Sequence, residues 1–263
     1  MQVITSKDNE QVKYIRKLKE KKFREEFGEY IIEGVKTLQE AIMEKATIKV
    51  IVVCDDCEKQ GMFDKKFLYE VAKYNCIYVN QKIFDTITEV QNPQGVLAVI
   101  VKKENKNKIN FNKDFLFILD NIQDPGNLGT IVRTLDSAGV GQIIISKGSV
   151  DAYSSKVVRS TMGAIFRVEI VEVENLKETI KNIKKKDFKV VATSLETNKS
   201  IYNISYKKTA VIIGNEANGV SEEILELADE RVKIPMIGRT ESLNASVAAG
   251  VVIYEYVRQK LKM

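Results

Sequence analysis

The stretch Leu119–Gly139, LDNIQDPGNLGTIVRTLDSAG, decides how the chain is read. It is entered through Phe115–Asp120 (FLFILD), a short apolar run of the length expected for a buried strand. It is left through Leu128, Ile131, Val132, Leu135 and Ala138, apolar residues at helical spacing. Between them Gln123-Asp124-Pro125-Gly126-Asn127 is a turn. The order is therefore strand, turn, helix. The helix carries an arginine, Arg133, six residues past Asn127. Spacing alone reads Arg133 as a surface arginine beside an acid, and its place just past the turn leaves a site role open. DPGNLG has neither the Gly-Lys-Ser/Thr ending of a phosphate loop nor the GxGxxG pattern, so it is not an obvious phosphate cradle.

Downstream the alternation continues. Strand-like runs at Gln142–Ser146, Val168–Val173, Lys189–Thr193, Thr209–Ile213 and Arg231–Ile234 have helical segments between most of them, and a long helix starts near Leu243. Strands alternating with helices predict an α/β fold with a mainly parallel sheet covered on both faces. Ligands bind such sheets beyond the carboxyl ends of the strands, which selects the loops after Asp120, Thr193, Ile213 and Ile234. Upstream, helix signals lie near Asp8–Lys22, Val35–Glu44 and Lys65–Tyr74, and strand signals at Ile48–Val53, Cys76–Val79 and Val96–Val101. Lys102–Asp114 (KKENKNKINFNKD) is charged, lacks apolar periodicity and reads as a linker.

Composition narrows the chemistry. The 263 residues include no histidine and three cysteines. A histidine general base, a histidine-containing zinc site and a four-cysteine site are all excluded, and no metal is expected. Cys54-Asp55-Asp56-Cys57 has CxxC spacing, but the two carboxylates should raise the thiol pKa values, so structural or incidental cysteines are expected. No apolar run approaches the roughly 18 residues of a membrane helix, and the polar start MQVITSKDNEQ is unlike a signal peptide. A cytoplasmic protein is expected. Lys13, Arg16, Lys17, Lys19, Lys21, Lys22 and Arg24 are seven cations against one acid, Glu20, a larger surplus than the +5 of the whole chain. Val12, Ile15 and Leu18 give this segment an apolar face. The basic face is either solvated or a contact surface for nucleic-acid phosphates.

Two later loops resemble sites. In VIIGNEANGVSEE (Val211–Glu223) a strand runs into Gly214, Asn215 and Glu216, and Ser221 reads as a helix start. Glu216 is a helix cap or a polar site group. In IPMIGRTESLNASVAAGVVIYEYV (Ile234–Val257), Ser242, Asn244 and Ser246 open a helix of small residues. Singly, each reads first as a cap.

Together, DPGNLGTIVRTLDSAG, IIGNEANGVSEE and IPMIGRTESLNASVAAGVVIYE, with SSKVVRSTMGAIFRV between the first two, resemble the SpoU (TrmH) RNA ribose 2′-O-methyltransferases of the SPOUT class. YIIEGVKTLQEAI and NPQGVLAVI are similar to the L30e-like substrate-binding domain that precedes the catalytic domain in many members. The resemblance implies an L30e-like α/β domain at 1–103, a linker at 104–114, and a SPOUT α/β domain at 115–263 with a C-terminal trefoil knot. It implies S-adenosylmethionine as cofactor, RNA as substrate, ribosomal RNA by the two-domain layout, and a homodimer through the catalytic domain. Carried over by motif, Asn127, Arg133, Glu216, Ser242 and Asn244 are the catalytic group. Thr193, Ser194, Leu195, Gly214, Asn215, Glu216, Ile234, Pro235, Met236, Ser242, Leu243 and Asn244 are expected at the cofactor. Lys13, Arg16, Lys17, Lys21, Lys22, Arg24, Arg133 and Arg159 are expected at RNA, with a plain helix-surface arginine as the other reading of Arg159. The alternatives are a tRNA methyltransferase, a non-catalytic RNA-binding protein, and a nucleotide-binding α/β enzyme, which the missing phosphate-loop patterns disfavour.

Overall fold

The computed structural model describes residues 3–103 and 108–261, so part of the expected linker, 104–107, lies outside the described residues. The chain forms two compact units. Met1–Glu104 and Tyr153–Phe166 make the first; Asn105–Ala152 and Arg167–Met263 make the second. Among the described residues no helix is long and apolar enough to cross a membrane.

The first unit runs β1 (Val3–Ile4), α1 (Glu10–Lys17), α2 (Lys21–Phe27), β2 (Glu29–Glu33), α3 (Val35–Met43), β3 (Ile48–Cys54), α4 (Asp55–Lys59), α5 (Lys65–Val71), β4 (Cys76–Val79), α6 (Gln81–Ile87) and β5 (Val96–Val101). Its sheet has the order β1-β4-β3-β5-β2. β5 is antiparallel to β2 and β3, while β4 is parallel to β1 and β3. The single helix expected over Asp8–Lys22 is broken. Glu20 is extended (φ −93°, ψ 135°), and the Arg24 guanidinium folds back to donate to the carbonyls of Leu18 (2.7 Å) and Lys19 (2.6 Å). Those carbonyls are orphaned at the end of α1, and the cation satisfies them.

In the second unit β6 (Phe115–Leu119), α7 (Pro125–Ser137) and β7 (Gln142–Ser146) come first. The next helix, α8 (Ser155–Ser160), groups with the first unit, although the sequence reading set it in the second domain. Its Val157 and Val158 are buried, and Tyr153 just before it lies 4.9 Å from the Tyr30 ring. The second unit resumes with β8 (Glu169–Val173), α9 (Leu176–Lys184), β9 (Lys189–Thr193), β10 (Thr209–Ile213), α10 (Glu222–Leu225), β11 (Glu230–Val232) and α11 (Ala245–Leu261). The six strands are parallel throughout, in the order β11-β9-β10-β6-β7-β8. FLFIL and TAVII are buried along their whole length, as a sheet covered on both faces requires.

The strand order places the site. The chain leaves β6 toward β7 and β8, then crosses to build β9, β10 and β11 on the other side. β6 and β10 therefore meet where the order reverses, and a crevice opens at their carboxyl ends. α7 begins there with Asp124 as N-cap, accepting from Asn127 N at 2.8 Å, and Pro125 in the first turn. Of its predicted apolar face, Leu128, Ile131, Val132 and Leu135 are fully buried and Ala138, the C-cap, is half-buried; α11 packs against this helix.

Candidate functional site

The β10 loop is shaped by backbone contact. Asn215 and Gly219 exchange two backbone hydrogen bonds of 2.9 Å. At its root a Cβ on Gly214 would lie 2.0 Å from Gly219 C and Val220 N, so a glycine is obligatory. Asp120, at the end of β6, is 8% exposed and accepts from Ser221 N (2.9 Å) and Ser221 Oγ (2.8 Å). Asn215 Nδ2 donates to Asn121 O at 2.8 Å. Gln123 Nε2 donates to Asn121 Oδ1 and to Gly148 O, both at 2.7 Å. Sequence reasoning missed Asp120 and Gln123 as site builders. The only available signal was an acid closing an apolar strand run.

Three of the predicted polar residues form one chain. Glu216 accepts from Asn127 Nδ2 (2.9 Å), Asp124 N (3.2 Å) and Gln123 N (3.3 Å). Asn127 Oδ1 in turn accepts from Asn244 Nδ2 at 3.0 Å. Asn244 Oδ1 caps α11 by accepting from Ser246 N (2.9 Å) and Ser246 Oγ (2.7 Å). Glu216, Asn127 and Asn244 thus pin the N-termini of α7 and α11 together. Burial pushes the Glu216 carboxyl up, but the hydrogen bonds from Asn127 and the backbone outweigh it and hold it below its ordinary value. The carboxylate is therefore an ionised acceptor at neutral pH.

Beside this chain lies a cleft of about 560 Å³. Of the residues expected at the cofactor, Thr193, Ser194, Leu195, Gly214, Asn215, Glu216, Ile234, Met236, Ser242 and Leu243 line it; Pro235 and Asn244 do not. Its size suits a ligand of roughly 300–1,000 Å³. Leu195, Ile213, Val220, Ile234 and Leu243 offer apolar walls to a purine, and Glu196, Glu216 and Glu241 offer carboxylates to a sulfonium or an ammonium. The residues present fit S-adenosylmethionine. Among the described residues no group of three metal-ligating side chains occurs.

Arg133 is not part of that cleft. Six residues past Asn127 is about 120° round the helix. The side chain is exposed and makes no hydrogen bond or ion pair among the described residues.

The expected RNA contacts divide. Lys13, Lys17, Lys21 and Lys22 are exposed. Arg24 is corrected: at 6% exposure, with its guanidinium on two carbonyls, it is a structural cap and is not presented to RNA. Arg16 is half-buried, and its Nη2 donates to Thr86 Oγ1 at 3.2 Å. Arg159 is half-buried in a small crevice with Glu33 and Glu89, its Nη1 enclosed, and so faces carboxylates. Cys54 and Cys57 are buried thiols near Gln81 Oε1. Burial first, and then Cys54 and nearby carboxylates, push Cys57 up to about 12.

A parallel α/β sheet with a ligand-sized cleft over the carboxyl ends of β9, β10 and β11, beside two pinned helix N-termini, is the layout of an α/β ligand-binding domain. A model of the SpoU rRNA Methylase family matches residues 114–254, and an MRM3-like substrate binding domain matches residues 9–98. The 23S rRNA (guanosine(2553)-2'-O)-methyltransferase RlmP of Bacillus subtilis is 32% identical over 97% of this chain and 98% of its own length. The AdoMet-bound rRNA methyltransferase from Sinorhizobium meliloti is 30% identical, with a TM-score of 0.82 over 98% of this chain and 97% of that one. A structure from work on 2-OH methylation of C/U34 on tRNA is 26% identical, with a TM-score of 0.51, covering 57% of this chain and 99% of that one. The chain belongs to the SpoU rRNA methylase family: it is an S-adenosylmethionine-dependent RNA ribose 2′-O-methyltransferase.

Proposed function

We propose that the chain methylates a ribose 2′-hydroxyl of ribosomal RNA at the carboxyl edge of its parallel sheet. The observation that carries this reading is the Glu216–Asn127–Asn244 chain beside the cleft, which links all three motifs. The ribosomal preference is supported by the RlmP match across both units and by the tRNA-related structure covering little more than half of the chain.

S-adenosylmethionine supplies the methyl group when bound. Thr193–Leu195, Gly214–Glu216, Ile234, Met236 and Ser242–Leu243 would hold it. The acceptor is the weak partner, because a ribose hydroxyl is a poor nucleophile until its proton leaves. Ser242 orients the reacting groups in the cleft, and Asn127 and Asn244, outside its lining, hold Glu216 and the start of α11 in position beside it; positioning of this kind is worth roughly 7–11 kcal/mol in favourable cases. The Arg133 guanidinium grips a phosphate and the ribose oxygen and favours the ionised oxygen. Its exposed, unengaged side chain is free to do so.

The reading includes a homodimer through the second unit, with the trefoil knot at its C-terminal end, in the cytoplasm. α11 supports the dimer: Val247, Tyr254 and Leu261, seven residues apart, are 51%, 51% and 81% exposed on one stripe. Light scattering should return twice the 29.8 kDa chain mass. The knot is supported by the segment between β11 and α11, which returns from the sheet edge across the cleft to α7.

The test is methyl-labelled S-adenosylmethionine with unmodified rRNA, assembled subunits and tRNA, followed by alkaline digestion, which spares only 2′-O-methylated linkages. Label in resistant dinucleotides from rRNA or subunits, lost in Arg133→Ala, is expected. Label from tRNA alone overturns the ribosomal assignment.

A further inference from the structure

α2 is an unusual helix. Of KKFREEF only Arg24 is buried, and it is held by hydrogen bonds to carbonyls. Phe23 and Phe27, one turn apart, stay half-exposed, with ring centroids 5.9 Å apart and 25° between planes. Tyr14 of α1, also half-exposed, adds a third ring 5.5 Å from Phe27. Aromatic surface left outside the core and rimmed by charge marks an interaction site.

The rim here is cationic. The Lys17 and Lys22 ammoniums lie 5.4 Å and 5.6 Å from the Phe23 centroid, and Lys49 lies 4.7 Å from that of Tyr14. Lys13, Lys21 and Lys49 are each spent on a carboxylate. Lys17 and Lys22 make no ion pair among the described residues. Exposed Glu20 and Glu26 interrupt the surface, so it offers no continuous phosphate track. It offers three half-exposed rings, with two cations free of ion pairs beside that of Phe23. A duplex hides its base faces; an unpaired nucleotide presents a face to stack and phosphates on either side.

We propose that the α1–α2 corner docks an unpaired segment of the RNA substrate, with a base on Phe23, Phe27 and Tyr14 extending the platform, and Lys17 and Lys22 on the flanking phosphates. This rests on the RNA-methyltransferase reading above and adds the strandedness of the RNA that the first unit takes.

The experiment uses the full chain with two fluorescein-labelled probes, an oligouridylate of about 12 nucleotides and an RNA duplex of the same length, within the span of such grooves. Phe23→Leu should weaken oligouridylate binding about 5- to 100-fold at fixed salt without changing its salt slope. Phe23→Tyr should restore it, and duplex binding should barely move. Lys17→Gln and Lys22→Gln should each reduce the salt slope by about 0.7. Thermal melts of the variants matching the parent chain show that the fold is kept. Unchanged oligouridylate binding in Phe23→Leu overturns the proposal, as does equal loss for both probes. If the parent chain methylates rRNA while Phe23→Leu binds normally, only the corner assignment fails. If the parent chain neither binds RNA nor transfers a methyl group, the functional reading fails and takes the corner with it.

Discussion

The two sheets of this protein do different work because their strands run differently. In the second unit all six strands are parallel, so every carboxyl end falls on one edge and the loops after β6, β9, β10 and β11 converge there. In the first unit β5 runs against its neighbours, and strand ends of both kinds share each edge. The candidate RNA surface there is a corner between two short helices. A parallel sheet concentrates backbone-built sites for small ligands, whereas the mixed sheet here serves as a scaffold for side chains on its outside.

The comparison is broken most forcefully at Gly214. Gly214→Ala drives a Cβ into the Gly219–Val220 backbone, so the loop must open. We expect a stability loss of about 3 kcal/mol and at least tenfold weaker cofactor binding by calorimetry. Gly141→Ala meets nothing within 4 Å and should change neither.

In the first unit the matching test is Arg24→Gln. Losing charge-assisted hydrogen bonds to Leu18 and Lys19 should cost about 2–3 kcal/mol, read by denaturant unfolding, while the salt slope of RNA binding stays put. A fall in salt slope without loss of stability would return Arg24 to the RNA surface.

A smaller effect is acid sensitivity. Glu216 is held below its ordinary value of 4.5, so its contribution is present above that pH and is lost as pH falls through the lower folded value. Glu216→Gln should flatten that acid limb in a series of melts, modestly, because the group is exposed. The smallest effect is at Cys57, pushed up to about 12, which should stay unmodified by a thiol reagent at pH 8 for as long as the protein remains folded.

Much of the second unit was legible in the sequence. FLFIL is an uninterrupted apolar run, and QIIIS and TAVII carry apolar stretches of three and four residues; burial on both faces leaves little else for such runs to be. The three motifs were visible as strings. Their joining was not, because Asn127 and Asn244 are 117 residues apart and only the strand order brings them within 3.0 Å. The basic segment misled in detail. Composition counts charges and is blind to direction, so it could not tell Arg24, turned onto two carbonyls, from Lys22, held over a ring. β2 escaped notice because EYIIE, with a glutamate at each end, runs through Gly34 straight into the helical pattern of α3.

The central claim is a division of labour: the strand-end network holds the cofactor, and Arg133, outside the cleft, acts on the RNA. Arg133→Ala measured by cofactor calorimetry and by single-turnover methyl transfer tests it directly. The account predicts unchanged cofactor affinity and a rate lower by about 10²–10³. Unchanged turnover, or cofactor binding lost together with it, would contradict it.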